Sequence, residues 1–170
     1  MTDTIKVKSL NNLSKIKEEF NRKLGTKKYR ILVCSGGGCV SSNCHEIKKA
    51  LLESLEAHKL TDDVIISETG CIGTCDIGPV MVITALEKSG AENVGRGVFY
   101  TKLAPKDMDA IVRSHLVEGK IKTDKTYYNR EKGINIPFID EIDYFRYQTK
   151  IALRNCGAID CASLEEYIAN

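Results

Sequence analysis

The chain has 170 residues, 42% hydrophobic and 28% charged, and its 25 basic and 23 acidic residues leave a net charge of +2. Such values are typical of a soluble globular protein with one domain of about 100 residues plus extensions. The basic residues are scattered and no apolar stretch approaches the roughly 18 residues that span a bilayer, so neither nucleic acid nor a membrane is an expected partner.

The seven cysteines indicate metal or redox chemistry rather than a disulfide framework. The N-terminal sequence has neither the apolar core nor the cleavage pattern of a secretory signal, so we expect a cytoplasmic, reducing location. Disulfides are rare there, and an odd number of cysteines cannot all pair.

The first half of the chain predicts a helix followed by a β-α-β unit. Apolar residues at helical spacing predict an amphipathic helix over residues 9–25. The apolar run YRILV predicts a strand at 29–33, which a glycine-rich loop follows. A second helix is expected from about residue 42 to 59, and a second strand at 64–68.

The next elements complete a β-α-β-β-β-α order. Strands are expected at 80–85 and 98–101, and a helix is expected from Pro105 to about residue 118, where Gly119 ends it. This order predicts an α/β fold: a small mixed four-stranded sheet packed by helices, with its first two strands parallel. It is the order of a thioredoxin-like fold.

The chain divides into three parts by pattern. Residues 1–27 form an N-terminal helical extension, residues 28–120 form the thioredoxin-like domain, and residues 121–170 lack a clean helical or alternating pattern. Within that irregular C-terminal extension only SLEEYIA predicts a helix, with Ser163 as its cap. We expect the extension to need a partner or a further domain to order it.

Four cysteines form the candidate metal site. Cys34 and Cys39 bound the loop CSGGGC, with four residues between them, and Cys71 and Cys75 bound CIGTC, with three. Each pair follows a predicted strand, so two loops at the ends of neighbouring strands would present four thiolates to one point. An iron–sulfur cluster requires this arrangement, and each pair could hold one iron of a [2Fe-2S] cluster.

Glycines in both loops suit the negative charge of such a cluster. Gly36, Gly37 and Gly38 let the first loop approach closely and direct N–H groups at sulfur, and Gly73 can do the same in the second. Zinc sites usually have two residues between paired cysteines, and buried structural thiols are the other alternative. Both stay open at this point.

The remaining cysteines receive no ligand role. Cys44, near the start of the second predicted helix, is expected to be a partly buried helix cysteine. Cys156 and Cys161 repeat the four-residue gap but supply only two ligands, so they are interpreted as structural or incidental thiols.

The segments CSGGGC, TGCIGTCDIGPVMVI and GVFYTKLAPKDMDAIVRSHLVEGK resemble the thioredoxin-like [2Fe-2S] ferredoxin domain over residues 28–120. That domain occurs in a small subunit of respiratory NADH dehydrogenases. It also occurs at the N-terminus of the NADH-oxidising flavoprotein subunit of multimeric, often electron-bifurcating, [FeFe]-hydrogenases. The resemblance implies that Cys34, Cys39, Cys71 and Cys75 ligate a [2Fe-2S] cluster.

The resemblance also implies a function and partners. It implies a one-electron carrier that works between a flavoprotein subunit and other iron–sulfur subunits of a redox complex, with no catalytic site in this chain. Residues 121–170 resemble the segment that leads into a flavin domain, so we expect a fragment or split gene product. Self-association into a homo-oligomer stays open, and the alternative function is a zinc-binding or metal-free docking module.

Overall fold

The computed structural model describes Val7 and residues 9–170. The start of the predicted N-terminal extension, residues 1–6 and residue 8, therefore lies outside the described residues. The helices are α1 Leu10–Leu24, α2 Gly37–Ser41, α3 Cys44–Ala57, α4 Met108–Ile111, α5 Asp143–Arg146 and α6 Leu164–Ala169. The strands are β1 Tyr29–Cys34, β2 Val64–Thr69, β3 Met81–Ala85, β4 Gly97–Tyr100, β5 Tyr127–Asn129 and β6 Ile134–Ile136.

A four-stranded mixed sheet in the order β2-β1-β3-β4 forms the centre of the molecule. Strand β1 pairs parallel with β2 and antiparallel with β3, and β3 pairs antiparallel with β4. Strand β1 is central because its apolar run is buried along nearly its whole length, as expected for a strand covered on both faces. The predicted fold class, a mixed four-stranded α/β sheet in β-α-β-β-β-α order, is confirmed.

The two faces of the sheet have separate hydrophobic cores. Helices α3 and α4 cover one face, where their apolar residues pack on alternate residues of β1, β3 and β4. The opposite face carries Leu32 and Cys34 of β1, Val82 of β3 and Phe99 of β4. Ile136 and Ile142 of the C-terminal extension pack on this second face and complete its core.

The C-terminal extension is more ordered than its sequence pattern predicts. Strands β5 and β6 form an antiparallel hairpin, and the turn between them includes Gly133 at φ +65°. The next segment runs along the edge strand β4, where the Phe99 N–H donates to the Pro137 carbonyl over 2.8 Å. The extension packs closely on the sheet that precedes it, and the division of the chain at residue 120 stays a prediction.

The end of the chain packs beside the other edge strand, β2. The Cys161 N–H donates to the Glu68 carbonyl over 3.1 Å, and α6 packs against α1. Arg30 of β1 forms an ion pair with Glu166 of α6, which is 3% exposed. The expected helix over SLEEYIA is confirmed, and Ser163 caps it by accepting from the Glu166 N–H over 3.1 Å.

The helix expected over residues 105–118 is divided into three parts. A 3-10 turn spans Pro105–Asp107, α4 follows, and a π-helical stretch continues over Val112–Val117. None of the helices in the described part of the chain is both long and apolar enough to cross a membrane.

His115 in the π-helical stretch is a buried, neutral imidazole. Its side chain is 4% exposed, and its Nδ1 lies within hydrogen-bond distance of the Tyr100 hydroxyl, at 2.9 Å. Tyr29 packs edge-on against the imidazole ring. Burial lowers the pKa of His115 from 6.5 to about 4, because the charged form would lose its hydration.

This burial predicts a pH-dependent stability. As pH falls below 6.5, the unfolded chain binds a proton at His115 before the folded chain does. The free energy of unfolding should therefore fall by about 2 kcal/mol between pH 7 and pH 5 through this residue alone. His115→Asn keeps a hydrogen-bonding group next to Tyr100 but cannot titrate. Its free energy of unfolding should therefore not show the part of the decrease that His115 causes. Urea unfolding of both proteins at the two pH values measures the difference, and equal losses would contradict the prediction.

Candidate metal centre

The first cysteine pair lies where β1 ends. Cys34 is the last residue of β1, and Cys39 lies within α2, a single short turn that begins at Gly37. Both side chains are buried, at 2% and 1% exposure. The Ser35 N–H donates to the Thr69 carbonyl over 2.9 Å, which joins the start of this loop to the end of β2.

The second pair lies in the loop that follows β2. Cys71 and Cys75 are both exposed, and their Sγ atoms are 3.5 Å apart. The Gly73 N–H donates to Cys71 Sγ over 3.3 Å, as its glycine-loop position predicts. Gly73 has φ +100°, a conformation that other residues rarely adopt, so the loop needs glycine at this position.

The two loops contact each other through glycines. A Cβ atom built on Gly36 would lie 2.7 Å from Cys71 Cβ, and one built on Gly38 would lie 3.0 Å from Cys75 Sγ. Such distances leave no room for a side chain. The structure thus brings the two predicted loops together, and the close approach itself requires two of the three glycines.

Gly37 has a different environment from its neighbours. A Cβ atom built there would meet no other atom within 4 Å. Packing therefore does not require glycine at this position, and the expectation that its N–H is directed at sulfur stays a prediction. That N–H belongs to the first turn of α2.

The sequence reasoning missed two residues of the site. A Cβ atom on Gly78 would lie 3.2 Å from Cys39 Sγ, so the chain after Cys75 also approaches the first pair. The GP sequence before β3 was the available signal. Tyr144, from the extension, donates through its hydroxyl to the Gly73 carbonyl over 3.2 Å. No local pattern marks that contact.

The thiols of both pairs are electrostatically linked. Burial, and then the neighbouring Cys34 side chain, raises the pKa of Cys39 to about 12. The pKa of the exposed Cys75 is raised chiefly by its hydrogen bond with the Cys71 thiol. Two adjacent thiols resist losing both protons because the two resulting charges would repel each other. Metal binding at such a site therefore releases protons and balances the charge.

The second cysteine pair has the spacing of two ligands on one tetrahedral metal ion. Among the residues that the structure describes, no three His, Cys, Asp or Glu side chains are grouped so as to hold one metal ion. Two sulfurs bound to one tetrahedral ion at about 2.3 Å lie roughly 3.8 Å apart. The Cys71 and Cys75 sulfurs, 3.5 Å apart, need only a small adjustment to meet that requirement.

The other three cysteines lie around this site without joining either pair. Cys44 is the first residue of α3, as predicted for a helix cysteine, but it is fully rather than partly buried, at 2% exposure, and burial raises its pKa. Cys156 is partly buried, with its Sγ 3.3 Å from the position of a Cβ on Gly70. Cys161 is exposed. All seven cysteines are free thiols in the structure.

Comparison with known proteins gives a consistent result. Residues 10–115 match the family profile described as thioredoxin-like [2Fe-2S] ferredoxin. A "Ferredoxin, 2Fe-2S" of Clostridium pasteurianum is 30% identical over 102 residues, covering 55% of this chain and 90% of that protein. A "Ferredoxin, 2Fe-2S" of Aquifex aeolicus is 31% identical over 85 residues, covering 49% of this chain and 68% of its own length.

A solved structure is also similar in sequence. The crystal structure of the wild-type thioredoxin-like [2Fe-2S] ferredoxin from Aquifex aeolicus is 25% identical to this chain, with a TM-score of 0.47. The similarity covers 58% of this chain and 95% of that one.

Proposed function

This chain belongs to the thioredoxin-like [2Fe-2S] ferredoxin family, and we propose that it is a one-electron carrier whose four loop cysteines hold the cluster. The predicted cofactor, a [2Fe-2S] cluster, is the cofactor that defines this family. The observation that carries the proposal is the contact between the two cysteine loops, in which Gly36 and Gly38 leave no space between themselves and Cys71 and Cys75.

Each cysteine pair would hold one iron. Cys34 and Cys39 would ligate the inner iron, because both are buried beneath the sheet end, and Cys71 and Cys75 would ligate the outer one. When bound, the cluster accepts and returns a single electron. The Gly73 N–H supports the negative charge of the site by donating to Cys71 Sγ.

The difference in exposure between the two cysteine pairs indicates on which side of the site electrons enter and leave. The first pair is buried in the core of the second sheet face, whereas the second pair reaches the surface. Electron transfer weakens steeply with distance, so a partner would approach the loop of Cys71 and Cys75. That loop is therefore the proposed electron entry and exit.

The partners and location are part of the proposal. The resemblance of residues 28–120 and of the extension to hydrogenase and NADH dehydrogenase subunits supports a flavoprotein on one side and an iron–sulfur protein on the other. We propose a reducing, cytoplasmic setting, which the seven free thiols support.

Metal and sulfide analysis tests the proposal directly. Protein purified without oxygen should contain about two irons and two acid-labile sulfides per chain. Its visible absorption should bleach on addition of dithionite and return with oxidant. One zinc per chain and no colour would contradict the proposal and favour the alternative, a zinc-binding docking module. A colourless protein without metal would favour the metal-free module.

A further inference from the structure

Gly73 in the second cysteine loop is held on both sides by hydrogen bonds. Its N–H donates to Cys71 Sγ over 3.3 Å, and its carbonyl accepts from the Tyr144 hydroxyl over 3.2 Å. The Tyr144 hydroxyl lies so close that a Cβ atom on Gly73 would come within 2.6 Å of it. A residue from the C-terminal extension thus contacts the loop residue whose N–H donates to Cys71 Sγ.

Tyr144 is anchored to the core of the domain, although its own ring is half exposed. It packs edge-on against Phe145, with ring centroids 5.1 Å apart, and Phe145 packs edge-on against Phe99 at 5.3 Å. Phe99 is fully buried in β4. This aromatic series fixes Tyr144 relative to the sheet, so its hydroxyl can hold a flexible glycine loop in one conformation.

We propose that Tyr144 is a positioning residue of the metal centre, which fixes Gly73 so that its N–H stays directed at the Cys71 sulfur and sets the reduction potential of the site. This inference rests on the proposed function. It makes Tyr144 and Phe145 of the extension part of the centre, rather than of a separate linker.

The physical chemistry fixes the direction of the effect. Reduction adds negative charge to the centre, and an N–H directed at a ligand sulfur stabilises that charge. Without the Tyr144 hydroxyl, Gly73 has the conformational freedom of an unrestrained glycine, and the N–H spends less time aligned with sulfur. Reduction then becomes less favourable, so the potential moves to a more negative value.

Tyr144→Phe is the informative variant because it removes only the hydroxyl. The ring keeps its packing on Phe145, so a change in potential reports the hydrogen bond. Tyr147→Phe is the matched control: it is the same substitution three residues further on, at a side chain that is 76% exposed. The readouts are iron and sulfide content, a redox titration followed by electron paramagnetic resonance, and the rate of iron loss to a chelator.

The expected result is a full cluster in all three proteins and a more negative potential in Tyr144→Phe alone, with iron loss a few-fold faster. Loss of the cluster from Tyr144→Phe, with an unchanged far-ultraviolet circular dichroism spectrum, would also support the proposal. Identical potentials and resonance spectra in Tyr144→Phe and Tyr147→Phe would overturn it while leaving the carrier function intact. A wild-type protein without iron and sulfide would instead refute the carrier function itself.

Discussion

Cys71→Ser should lose the cluster or make it labile, so that iron and sulfide fall below about two per chain or iron leaves faster to a chelator. Serine replaces a soft thiolate with a harder oxygen ligand that binds iron of this kind poorly. Cys71 is exposed, so the substitution leaves the hydrophobic core intact and the protein should still fold. Iron analysis and the visible spectrum of anaerobically purified protein measure the effect.

Cys156→Ser is the control for that substitution. Cys156 lies beside Gly70, the residue that precedes Cys71 in the chain. It therefore shares the surroundings of Cys71 without belonging to either cysteine pair. We expect its visible spectrum and iron content to equal those of the wild type. A Cys156→Ser protein that bleaches, or a Cys71→Ser protein whose visible spectrum and rate of iron loss equal those of the wild type, would show that the ligands are misassigned.

Gly36→Ala should separate the two cysteine loops. Its new methyl group would lie 2.7 Å from Cys71 Cβ and 2.9 Å from Cys71 Cα, so backbone must move to admit it. Close-packed protein interiors do not absorb such a change freely. We expect iron loss to a chelator to accelerate on the order of 10-fold or more, since displaced ligands hold metal less tightly.

Gly37→Ala is the adjacent control for this effect. The same methyl group meets nothing within 4 Å at this position, and alanine favours the helical turn that starts there. Its rate of iron loss should equal that of the wild type. If both alanine variants lose iron equally fast, flexibility of the glycine run, and not close approach, would explain the glycines.

Local sequence patterns were sufficient to predict the sheet and to group the four cysteines into two loop pairs. Residues 31–34 of β1 are a continuous apolar run because the strand is covered on both faces, and such a run can be read from the sequence. Cys34 is the last residue of β1, and Cys71 follows shortly after the end of β2. The two cysteines are therefore expected at the same edge of the sheet, because parallel neighbouring strands end at the same edge.

The short helix α2 could not be predicted in the same way. Glycine is a poor helix former, so CSGGGC indicates a loop. In the structure, Gly37–Ser41 is helical, and the Val40 N–H donates to the Gly36 carbonyl over 3.0 Å. Contact of this segment with the second cysteine loop, distant in sequence, decides its conformation.

The extension was the hardest part to predict, for a related reason. Its contacts join residues far apart in the chain, as when Tyr144 reaches Gly73 and Arg30 meets Glu166. Such contacts have no period that a local pattern can show. The turn at Gly133 was the one available sign of the β5–β6 hairpin, and the π-helical stretch at Val112–Val117 had none.

Electron paramagnetic resonance of the reduced protein tests the central claim most directly. After anaerobic purification and reduction with dithionite, the spectrum should integrate to about one unpaired spin per chain, as one reduced [2Fe-2S] cluster gives. That signal should be lost, weakened or changed in shape in Cys71→Ser and persist unchanged in Cys156→Ser. A reduced protein with no spin, carrying one zinc per chain, would contradict the account.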